Sequence, residues 1–372
     1  MNKMADFHFQ RCEKLRKLLK KSPADAILIT NFINVTWLTG FTGGDSYLLV
    51  FPDGQILLSD SRYTLQIAEE SPGLEFCIRD TQTSMLDLVK QQLSKYFPSR
   101  EVTDLTLAVE AETMSLGMSL KVREKVTEHL FPLNNALLEL RQIKDTHEIA
   151  LLRTAGKIAG KAFMAMRATL TAEKTEAQLA TEMNYTMRLL GARGESFPSI
   201  IALDARAAQC HAVPTDASLA GANMLLVDWG ADYKGYKSDL TRVLVLGEMT
   251  KKFQKIYKTV LDAQQKAIDA IKPGVSCDMI DAVARNYIAK AGFGDCFGHG
   301  LGHGIGLQIH EAPSFSPKCH TVLRPGMVIT VEPGIYIENW GGVRIEDDIL
   351  VTRRGCEVLT NVPKSLNDIL VD

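Results

Sequence analysis

The chain has 372 residues, enough for two to three domains at roughly 150 residues each. Hydrophobic residues make up 46% and charged residues 23%, proportions that are typical of a globular protein and exclude long disordered stretches. The 42 basic and 44 acidic side chains leave a net charge of −2. A net charge this small does not indicate a nucleic-acid partner. No apolar run approaches the roughly 18 residues of a membrane span, so nothing indicates a membrane partner.

The cysteines and the N-terminus indicate a cytoplasmic protein. The seven cysteines are scattered without a C-x-x-C pair, which argues against a disulfide framework and favours a reducing compartment. The first residues carry acids early and lack the apolar core of a secretory signal. We interpret the following basic stretch as the solvated face of an ordinary helix, with a membrane-surface helix as the alternative.

The first third of the chain alternates predicted strands and helices. Residues 26–30 form a short buried strand. Residues 46–51 and 55–59 flank Pro52-Asp53-Gly54, whose turn chemistry predicts a β-hairpin. Another strand is predicted over 105–111, followed by a helical stretch. This alternation predicts a mixed α/β (α+β) fold.

The second part of the chain begins with helices. Near residues 138–145 the pattern changes to that of a long amphipathic helix, so we predict domains over residues 1–140 and 141–372. The apolar face of this helix carries Ile149, Leu152, Ala155, Ile158 and Ala162. A capping box that begins at Thr175 predicts a second helix. Two more helices are predicted over 250–271 and 276–290.

Two aspartates lie in a predicted β-hairpin between these helices. The apolar stretch that ends at Asp228 and the one that begins at Asp239 surround a turn at Lys234-Gly235. With the tip between Tyr233 and Lys234, the two aspartates lie opposite each other, with Cβ atoms about 5 Å apart. Two bare carboxylates that close repel unless they share a cation or a proton. The alternative is that one aspartate ends a strand and the other caps a turn.

Two glutamates lie in a second predicted hairpin of the same character. Glu332 and Glu346 are placed symmetrically about Asn339, so their side chains are expected to face one another. Each follows an apolar strand, where an unpaired charge is costly. A shared partner is therefore the favoured interpretation.

Between the hairpins lies the histidine- and glycine-rich segment FGHGLGHGIGLQIHEAP, residues 297–313. Glycine at every second position does not fit a dinucleotide-binding loop and predicts an extended segment, with His299 and His303 on the same side. His310 and Glu311 are not followed by a second histidine at the helical zinc-protease spacing. His211, which precedes the first hairpin, is the fourth histidine of this group.

Two aspartates, two glutamates and at least one histidine on facing strands predict a two-metal site. Carboxylate-bridged metals about 3.5–4 Å apart lower the pKa of a shared water and polarise a carbonyl group. A donor set rich in oxygen with imidazole, and without cysteine, favours Mn, Co or Zn.

The order Asp228, Asp239, His303, Glu332 and Glu346 resembles the metal centre of the methionine aminopeptidase/prolidase superfamily. The strings GYKSDLTR, HGLGHGIGLQIHEAP, PGMVITVEPGIY and GGVRIEDDILVT are similar to its proline-specific branch, aminopeptidase P and Xaa-Pro dipeptidase. TGFTGGDSYLLV and SDSRYTLQ resemble that branch's creatinase-like N-terminal domain. The resemblance implies a creatinase-like N-terminal α/β domain before a catalytic domain of the pita-bread fold.

The resemblance also implies a role for each residue of the site. Asp228 would chelate one metal, Asp239 and Glu346 would bridge both, and His303 and Glu332 would complete the second. The resemblance further implies catalytic or substrate-binding roles for His211, His299, His310, Glu332 and Arg344. Among these, Glu332 would shuttle a proton, His310 would stabilise the oxyanion, and His299 would line the proline pocket. His211 would lie near the substrate, and Arg344 would orient acids or substrate.

Two positions depart from the family pattern, and the second bears on the substrate. Asp204 stands where the family often has glycine, and Lys318 and Arg324 replace an arginine that dipeptide-preferring relatives carry before the PGM string. The first departure bears on the shape of the local loop. The second favours an Xaa-Pro aminopeptidase acting on longer peptides, with an Xaa-Pro dipeptidase as the alternative. Two other classes are a metal-free creatinase-type C–N hydrolase and a non-catalytic binding module. The resemblance implies peptide substrates with proline second, two divalent ions, Mn above all, and a homodimer or higher homo-oligomer.

Overall fold

The computed structural model describes the backbone of residues 3–371 and the side chains of residues 7–371. The chain divides into two compact units, residues 1–141 and 142–372. The α-helices of the described residues are α1 Lys3–Leu19, α2 Phe32–Thr39, α3 Thr64–Glu70, α4 Met85–Tyr96, α5 Leu116–Lys125, α6 Ala136–Gln142, α7 Thr146–Ala168, α8 Glu176–Leu189, α9 Lys251–Ala270 and α10 Cys277–Lys290.

The strands fall into two groups, one in each unit. Those of the first unit are β1 Ala26–Ile29, β2 Tyr47–Val50, β3 Gln55–Asp60, β4 Phe76–Arg79, β5 Leu107–Val109 and β6 Leu130–Pro132. Those of the second unit are β7 Gly194–Glu195, β8 Ile200–Leu203, β9 Met224–Trp229, β10 Ala231–Tyr233, β11 Tyr236–Lys237, β12 Leu240–Val245, β13 Gly302–Gly304, β14 Glu311–Phe315, β15 Val328–Val331, β16 Gly334–Ile337, β17 Gly341–Arg344, β18 Asp347–Val351 and β19 Cys356–Val358.

The first unit is built on a six-stranded mixed sheet in the order β4-β3-β2-β1-β5-β6. The predicted hairpin is confirmed: Val50 pairs with Gln55 across the turn, and the Phe51 amide donates to the Gly54 carbonyl at 2.8 Å. Helix α4 packs its apolar face, including Leu88 and Leu93, against this sheet. The strand predicted over 105–111 is shorter, because only its middle residues pair with β1 and β6.

The second unit surrounds its strands with four long helices. Its sheets run β12-β9-β8, β11-β10-β7 and β14-β13-β15-β18-β19, with the ribbon β16-β17. Helices α9 and α10 cover one apolar core, and α7 and α8 cover another, where Phe163 stacks on Trp229 with ring centroids 4.5 Å apart. The mixed α/β fold is confirmed.

The predicted helices of the second unit are confirmed by their extents, and α7 and α8 each begin with a capping box. Asp145 forms a capping box with Glu148 at the start of α7, and Thr175 forms one with Gln178 at the start of α8. Side-chain oxygens at these positions satisfy backbone amides that have no partner within the helix. Across residues 3–371, no helix is both long and apolar enough to cross a bilayer.

Candidate metal centre

The first hairpin places Asp228 and Asp239 on neighbouring strands, but in a different register from the prediction. Tyr233 pairs with Tyr236, so the tip lies between Lys234 and Gly235. Both tip residues have positive φ, 52° and 90°, as the two-residue hairpin turn requires. The expectation that Asp228 lies directly opposite Asp239 is therefore wrong, because a tip one residue further along shifts the register by two. Asp228 lies opposite Thr241 instead, two residues beyond Asp239.

The second hairpin agrees with its predicted register. Val331 pairs with Asp347 on one side of the two glutamates, and Gly334 pairs with Arg344 on the other. Glu332 and Glu346 thus occupy facing positions where the β15–β18 ladder gives way to the β16–β17 ribbon. Glu346 also forms an isolated bridge with Thr241 of the first hairpin. This bridge brings the acids of the two hairpins together.

His303 reaches the acids from β13, a strand held very close to its neighbours. A Cβ at Gly302 would lie 2.0 Å from the Thr330 carbonyl oxygen, and one at Gly304 would lie 2.3 Å from that of Ala312. A Cβ at Gly300 would lie 2.7 Å from the Phe315 carbonyl oxygen. The glycines therefore permit backbone contacts that any side chain would block.

The extended segment predicted over 297–313 is only partly correct. Backbone pairing is confined to β13 and the start of β14, and the register shifts between His303 and Gly304. Residues 305–310 form a bend instead. Within it, the Gly306 carbonyl accepts the Lys237 amide at 2.8 Å, and the Gly306 amide donates to the Gln308 carbonyl at 3.1 Å. The bend returns His310 to His303, with the ring centroids 4.4 Å apart.

The five predicted ligands form one largely buried cluster. Ligand atoms of Asp239, His303 and Glu346 all lie within 4.8 Å of one another. The Nε2 atom of His303 is 3.6 Å from Asp239 Oδ2 and 3.5 Å from Glu332 Oε1. Asp228 joins the cluster through Arg344, whose Nη2 donates to Asp228 Oδ2 and whose Nε donates to Thr241 at 2.9 Å.

Burial and mutual repulsion dominate the electrostatics of the cluster. Burial, reinforced by Glu346 and Asp228, holds the pKa of Asp239 well above its usual value. Burial, with Glu332 and Asp228 nearby, does the same to the pKa of Glu346, and burial raises the pKa of Glu332 to about 8. Burial lowers the pKa of His303 to about 4, which favours the neutral imidazole.

These residues fit a divalent cation. The Oδ1 atom of Asp228 is buried and has no hydrogen-bond partner among the described residues, which is costly for a carboxylate. Four carboxylates and a neutral imidazole provide the oxygen and nitrogen donors that Mn, Co and Zn accept. A cation supplies the positive charge that Arg344 alone does not provide for this many acids.

The predicted substrate-side residues lie around the cluster. His299 Nε2 is 3.0 Å from the Tyr336 hydroxyl, which accepts a hydrogen bond from Arg344 Nη1 at 2.7 Å. Burial lowers the pKa of His299 to about 4. Partial burial and the nearby His211 lower the pKa of His310. His211 and His310 are exposed, as side chains that meet a substrate must be.

Three side chains of the site were not predicted from the sequence. The Thr241 hydroxyl donates to Glu346 Oε2 at 2.7 Å. The Thr330 hydroxyl accepts the His303 amide at 3.0 Å and donates to Glu332 Oε1 at 3.2 Å. Thr241 and Thr330 each lie two residues from a predicted ligand along a strand, hence on the same face, and this period was a readable signal. Tyr336 had a signal of another kind, since the register predicted for the second hairpin places it diagonally across from Arg344 on the same face.

The two departures from the family pattern have simple structural outcomes. Asp204 adopts the left-handed backbone, with φ 43°, and its carboxylate accepts the amides of Asn223 and Met224 at 3.0 Å each. Aspartate tolerates this conformation better than most residues, so it can stand in for glycine here. Lys318 and Arg324 are both exposed.

A buried glutamate anchors the segment that carries His211. Glu176 is fully buried and accepts the amides of Leu203 and Thr215, both at 2.8 Å, and contacts Arg206 at 3.3 Å. Glu176→Ala is expected to lower the free energy of unfolding by about 3 kcal/mol, because buried donors lose their acceptor. Urea denaturation measures this change.

The matched control is Glu182→Ala on the same helix, whose carboxylate pairs with Lys174 at the surface. This variant is expected to change the unfolding free energy by less than about 1 kcal/mol. Equal losses in the two variants would contradict the anchoring role of Glu176.

Comparison with known proteins identifies both units. A family model described as "Metallopeptidase family M24" matches residues 150–353, and one described as "Creatinase/Prolidase N-terminal domain" matches residues 11–143. An Xaa-Pro dipeptidase of Pyrococcus horikoshii is 34% identical over 97% of this chain and 99% of its own length.

Solved structures agree over nearly the whole chain. The Xaa-Pro dipeptidase from Bacillus anthracis superposes with a TM-score of 0.90 at 36% identity, covering 98% of this chain and 99% of that one. The X-Pro aminopeptidase from Thermotoga maritima MSB8 gives a TM-score of 0.85 at 32% identity, covering 93% and 98%. The resemblance found in the sequence is confirmed, and the chain belongs to metallopeptidase family M24, with a creatinase/prolidase-type N-terminal domain.

Proposed function

We propose that this metallopeptidase is a two-metal Xaa-Pro dipeptidase, which splits dipeptides whose second residue is proline. The observation that supports the proposal is a buried cluster of candidate ligands, in which ligand atoms of Asp239, His303 and Glu346 lie within 4.8 Å of one another, in a chain whose full-length relatives at 34% and 36% identity are named Xaa-Pro dipeptidases. The segment before the PGM string favoured an aminopeptidase, with the dipeptidase as the alternative. The names of these relatives support its alternative better.

The Xaa-Pro aminopeptidase is the second candidate. It is favoured by the likeness to the Thermotoga maritima enzyme and by the exposure of Lys318 and Arg324, the two cations closest in sequence to the expected carboxylate-binding position. Both candidates cleave the same bond. They differ in whether the proline of the substrate carries a free carboxylate or a further residue.

Each candidate ligand residue is assigned to one or both of two proposed metal ions. Asp228 would hold one ion, Asp239 and Glu346 would hold both, and His303 and Glu332 would hold the second. The proposed ions are Mn, with Co or Zn as alternatives. When bound, divalent ions supply Lewis acidity and a water of lowered pKa. Arg344 fixes Asp228, and Thr241 fixes Glu346, each through a side-chain hydrogen bond.

The chain's own residues then move the proton and stabilise charge. The water oxygen bonds to the carbonyl carbon of the first residue, and the bond from that carbon to the proline nitrogen breaks. Glu332, held through one oxygen by Thr330, takes the water's proton and delivers it to the proline nitrogen, which leaves as a secondary amine. His310 donates a hydrogen bond to the carbonyl oxygen as it gains negative charge. His211 would lie near the substrate, and His299 would line the pocket for its proline.

The test compares matched peptides that share their first residue: Xaa-Pro, Xaa-Pro-amide, Xaa-Pro-Yaa and Xaa-Ala. A dipeptidase is expected to have a kcat/KM at least about 10-fold higher for Xaa-Pro than for the amide or the tripeptide, because only the dipeptide places its free carboxylate on the proline. Release of the first residue is quantified by mass spectrometry with the Mn-loaded enzyme.

Equal or faster cleavage of the tripeptide would assign the aminopeptidase instead. Cleavage of Xaa-Ala at the rate of Xaa-Pro would contradict proline specificity in both candidates. The manganese preference, the homo-oligomer and the cytoplasmic location stay predictions.

A further inference from the structure

A buried ion pair lies beside the metal centre and has no part in the proposed mechanism. Lys144 Nζ is 3.0 Å from Glu311 Oε2, and the two side chains are only 1% and 5% exposed. Burying two charges carries a large desolvation cost, and a buried ion pair is often no more stabilising than apolar residues of the same volume. Stability alone is therefore a weak reason for this pair.

Lys144 extends from a backbone position that is firmly held. Its amide donates to the Gly326 carbonyl at 2.8 Å, and the next residue, Asp145, caps helix α7. A Cβ at Gly326 would lie 3.0 Å from the Lys144 carbonyl oxygen, so the two backbones are in close contact. The ammonium group thus starts from a fixed point of the second unit.

The Glu311 carboxylate contacts the bend of residues 305–310 at Gln308 and Gly306. Its Oε1 atom accepts the Gln308 amide at 3.1 Å. Its carboxylate fills the space under Gly306, where a Cβ would lie 2.7 Å from Oε2. The carboxylate therefore contacts the bend at two points while Lys144 donates a hydrogen bond to its Oε2 atom.

The bend in turn determines where two site histidines lie. His303 precedes it and His310 ends it, and their rings are 4.4 Å apart. Because His310 is bonded directly to Glu311, a displacement of the Glu311 carboxylate shifts the backbone that carries the His310 ring. Misplacement of a catalytic group by about 1 Å can cost about 100-fold in rate.

We propose that the Lys144–Glu311 ion pair is a positioning device that holds the 305–310 bend so that His310 faces the metal cluster. Lys144 and Glu311 are positioning residues, which act through His310. The inference rests on the proposed function for the role of His310 in the reaction.

The test is a double-mutant cycle on the Mn-loaded enzyme, using Glu311→Gln, His310→Ala and the double variant. Glu311→Gln keeps the shape and the acceptor for Gln308 but removes the charge. It is expected to lower kcat about 10- to 100-fold with KM nearly unchanged, because an oxyanion contact is made in the transition state. In the double variant, the loss is expected to equal that of His310→Ala alone.

Lys144 provides the second arm of the test. Lys144→Met is expected to reproduce the loss in kcat, and Lys144→Arg to restore most of it. Arg153→Met, which removes an exposed ion pair with Glu357, is the control and is expected to leave kcat unchanged. Metal content, measured by mass spectrometry of the metal, is expected to stay at the wild-type value in every variant.

Unchanged kcat in Glu311→Gln, or losses that multiply in the double variant, would overturn the inference. If Lys144→Met does not fold, the Glu311→Gln cycle still decides. Failure of the proposed function is seen separately, as a wild-type enzyme that does not cleave Xaa-Pro. In that case the same cycle is run on whichever peptide of the panel the wild-type enzyme hydrolyses, and an enzyme that hydrolyses none overturns the inference.

Discussion

Asp239→Asn is expected to reduce kcat/KM for Xaa-Pro peptides by about 1,000-fold or more while leaving the fold intact. Asp239 lies within 4.8 Å of His303 and Glu346 and is the proposed bridge between two ions, so an amide in its place removes a ligand to both. Losing an outer-shell partner of a metal ligand costs about 10- to 100-fold, and losing a ligand costs more. Kinetics at saturating Mn measure the loss, and circular dichroism checks the fold.

The same variant, although less active, is expected to be more stable than the wild type when both are free of metal. Asp239 is buried against Glu346, Asp228 and Glu332, all of the same charge. Removing its charge relieves this repulsion, so the metal-free variant is expected to be about 1–3 kcal/mol more stable than the metal-free wild type. Thermal unfolding in chelator measures the difference.

Asp232→Asn is the matched control, since it changes the same residue type in the same hairpin outside the cluster. Its carboxylate bonds to Lys237 and to the Gly235 amide at the turn. Activity of this variant is expected to remain near the wild-type value. Full activity in Asp239→Asn, or a metal-free variant less stable than the wild type, would contradict the proposed centre.

Removal of divalent metal is expected to abolish hydrolysis and to lower the unfolding temperature. Without a cation, the four carboxylates repel and Asp228 keeps an unsatisfied buried oxygen. A ligand that binds only the folded state stabilises it by about 2.7 kcal/mol at 100 times its dissociation constant. Dialysis against chelator, followed by titration with Mn, Co and Zn, measures both activity and unfolding temperature.

Magnesium and calcium provide the comparison, since both prefer all-oxygen sites over a site with imidazole. We expect Mn to restore both properties together, with a stoichiometry near two ions per chain. A two-metal mechanism would be excluded if one ion per chain restored the stability and no added ion restored the activity. Activity that survives exhaustive chelation would favour the metal-free creatinase-type alternative.

Patterning in the sequence was sufficient to predict most elements of the fold. The capping box at Thr175 and the Pro52-Asp53-Gly54 turn each depend on residues close together in the chain. The extent of the strand at residues 105–111 was less predictable, because pairing with its neighbours determines where it ends.

Register was predictable only where it did not depend on an unusual turn. The second hairpin has the expected register, with Glu332 and Glu346 at facing positions. In the first hairpin, Lys234 adopts a positive φ that lysine rarely takes, and this moved the tip by one residue. Asp228 and Asp239 still reach one cluster, because a shift of two residues keeps both on the same face.

The interactions that orient the ligands could not be derived from the chain alone. The hydrogen bond from Arg344 to Tyr336 and the ion pair from Lys144 to Glu311 join residues that are respectively 8 and 167 positions apart. The register of the second hairpin places Tyr336 and Arg344 on one face, whereas no local period relates Lys144 to Glu311. They meet only after the sheets and the bend of residues 305–310 have formed.

The close backbone contacts of β13 make the fold and the proposed catalysis depend on different residues. Gly300, Gly302 and Gly304 contribute no chemistry, yet a Cβ at each would collide with a carbonyl oxygen of a neighbouring segment. A descendant that lost Asp239 or Glu332 would lose activity and keep its architecture, whereas one that lost these glycines would have to rebuild the sheet. The alternating glycines therefore constrain the architecture, whereas the proposed activity depends on the acids that the sheet brings together.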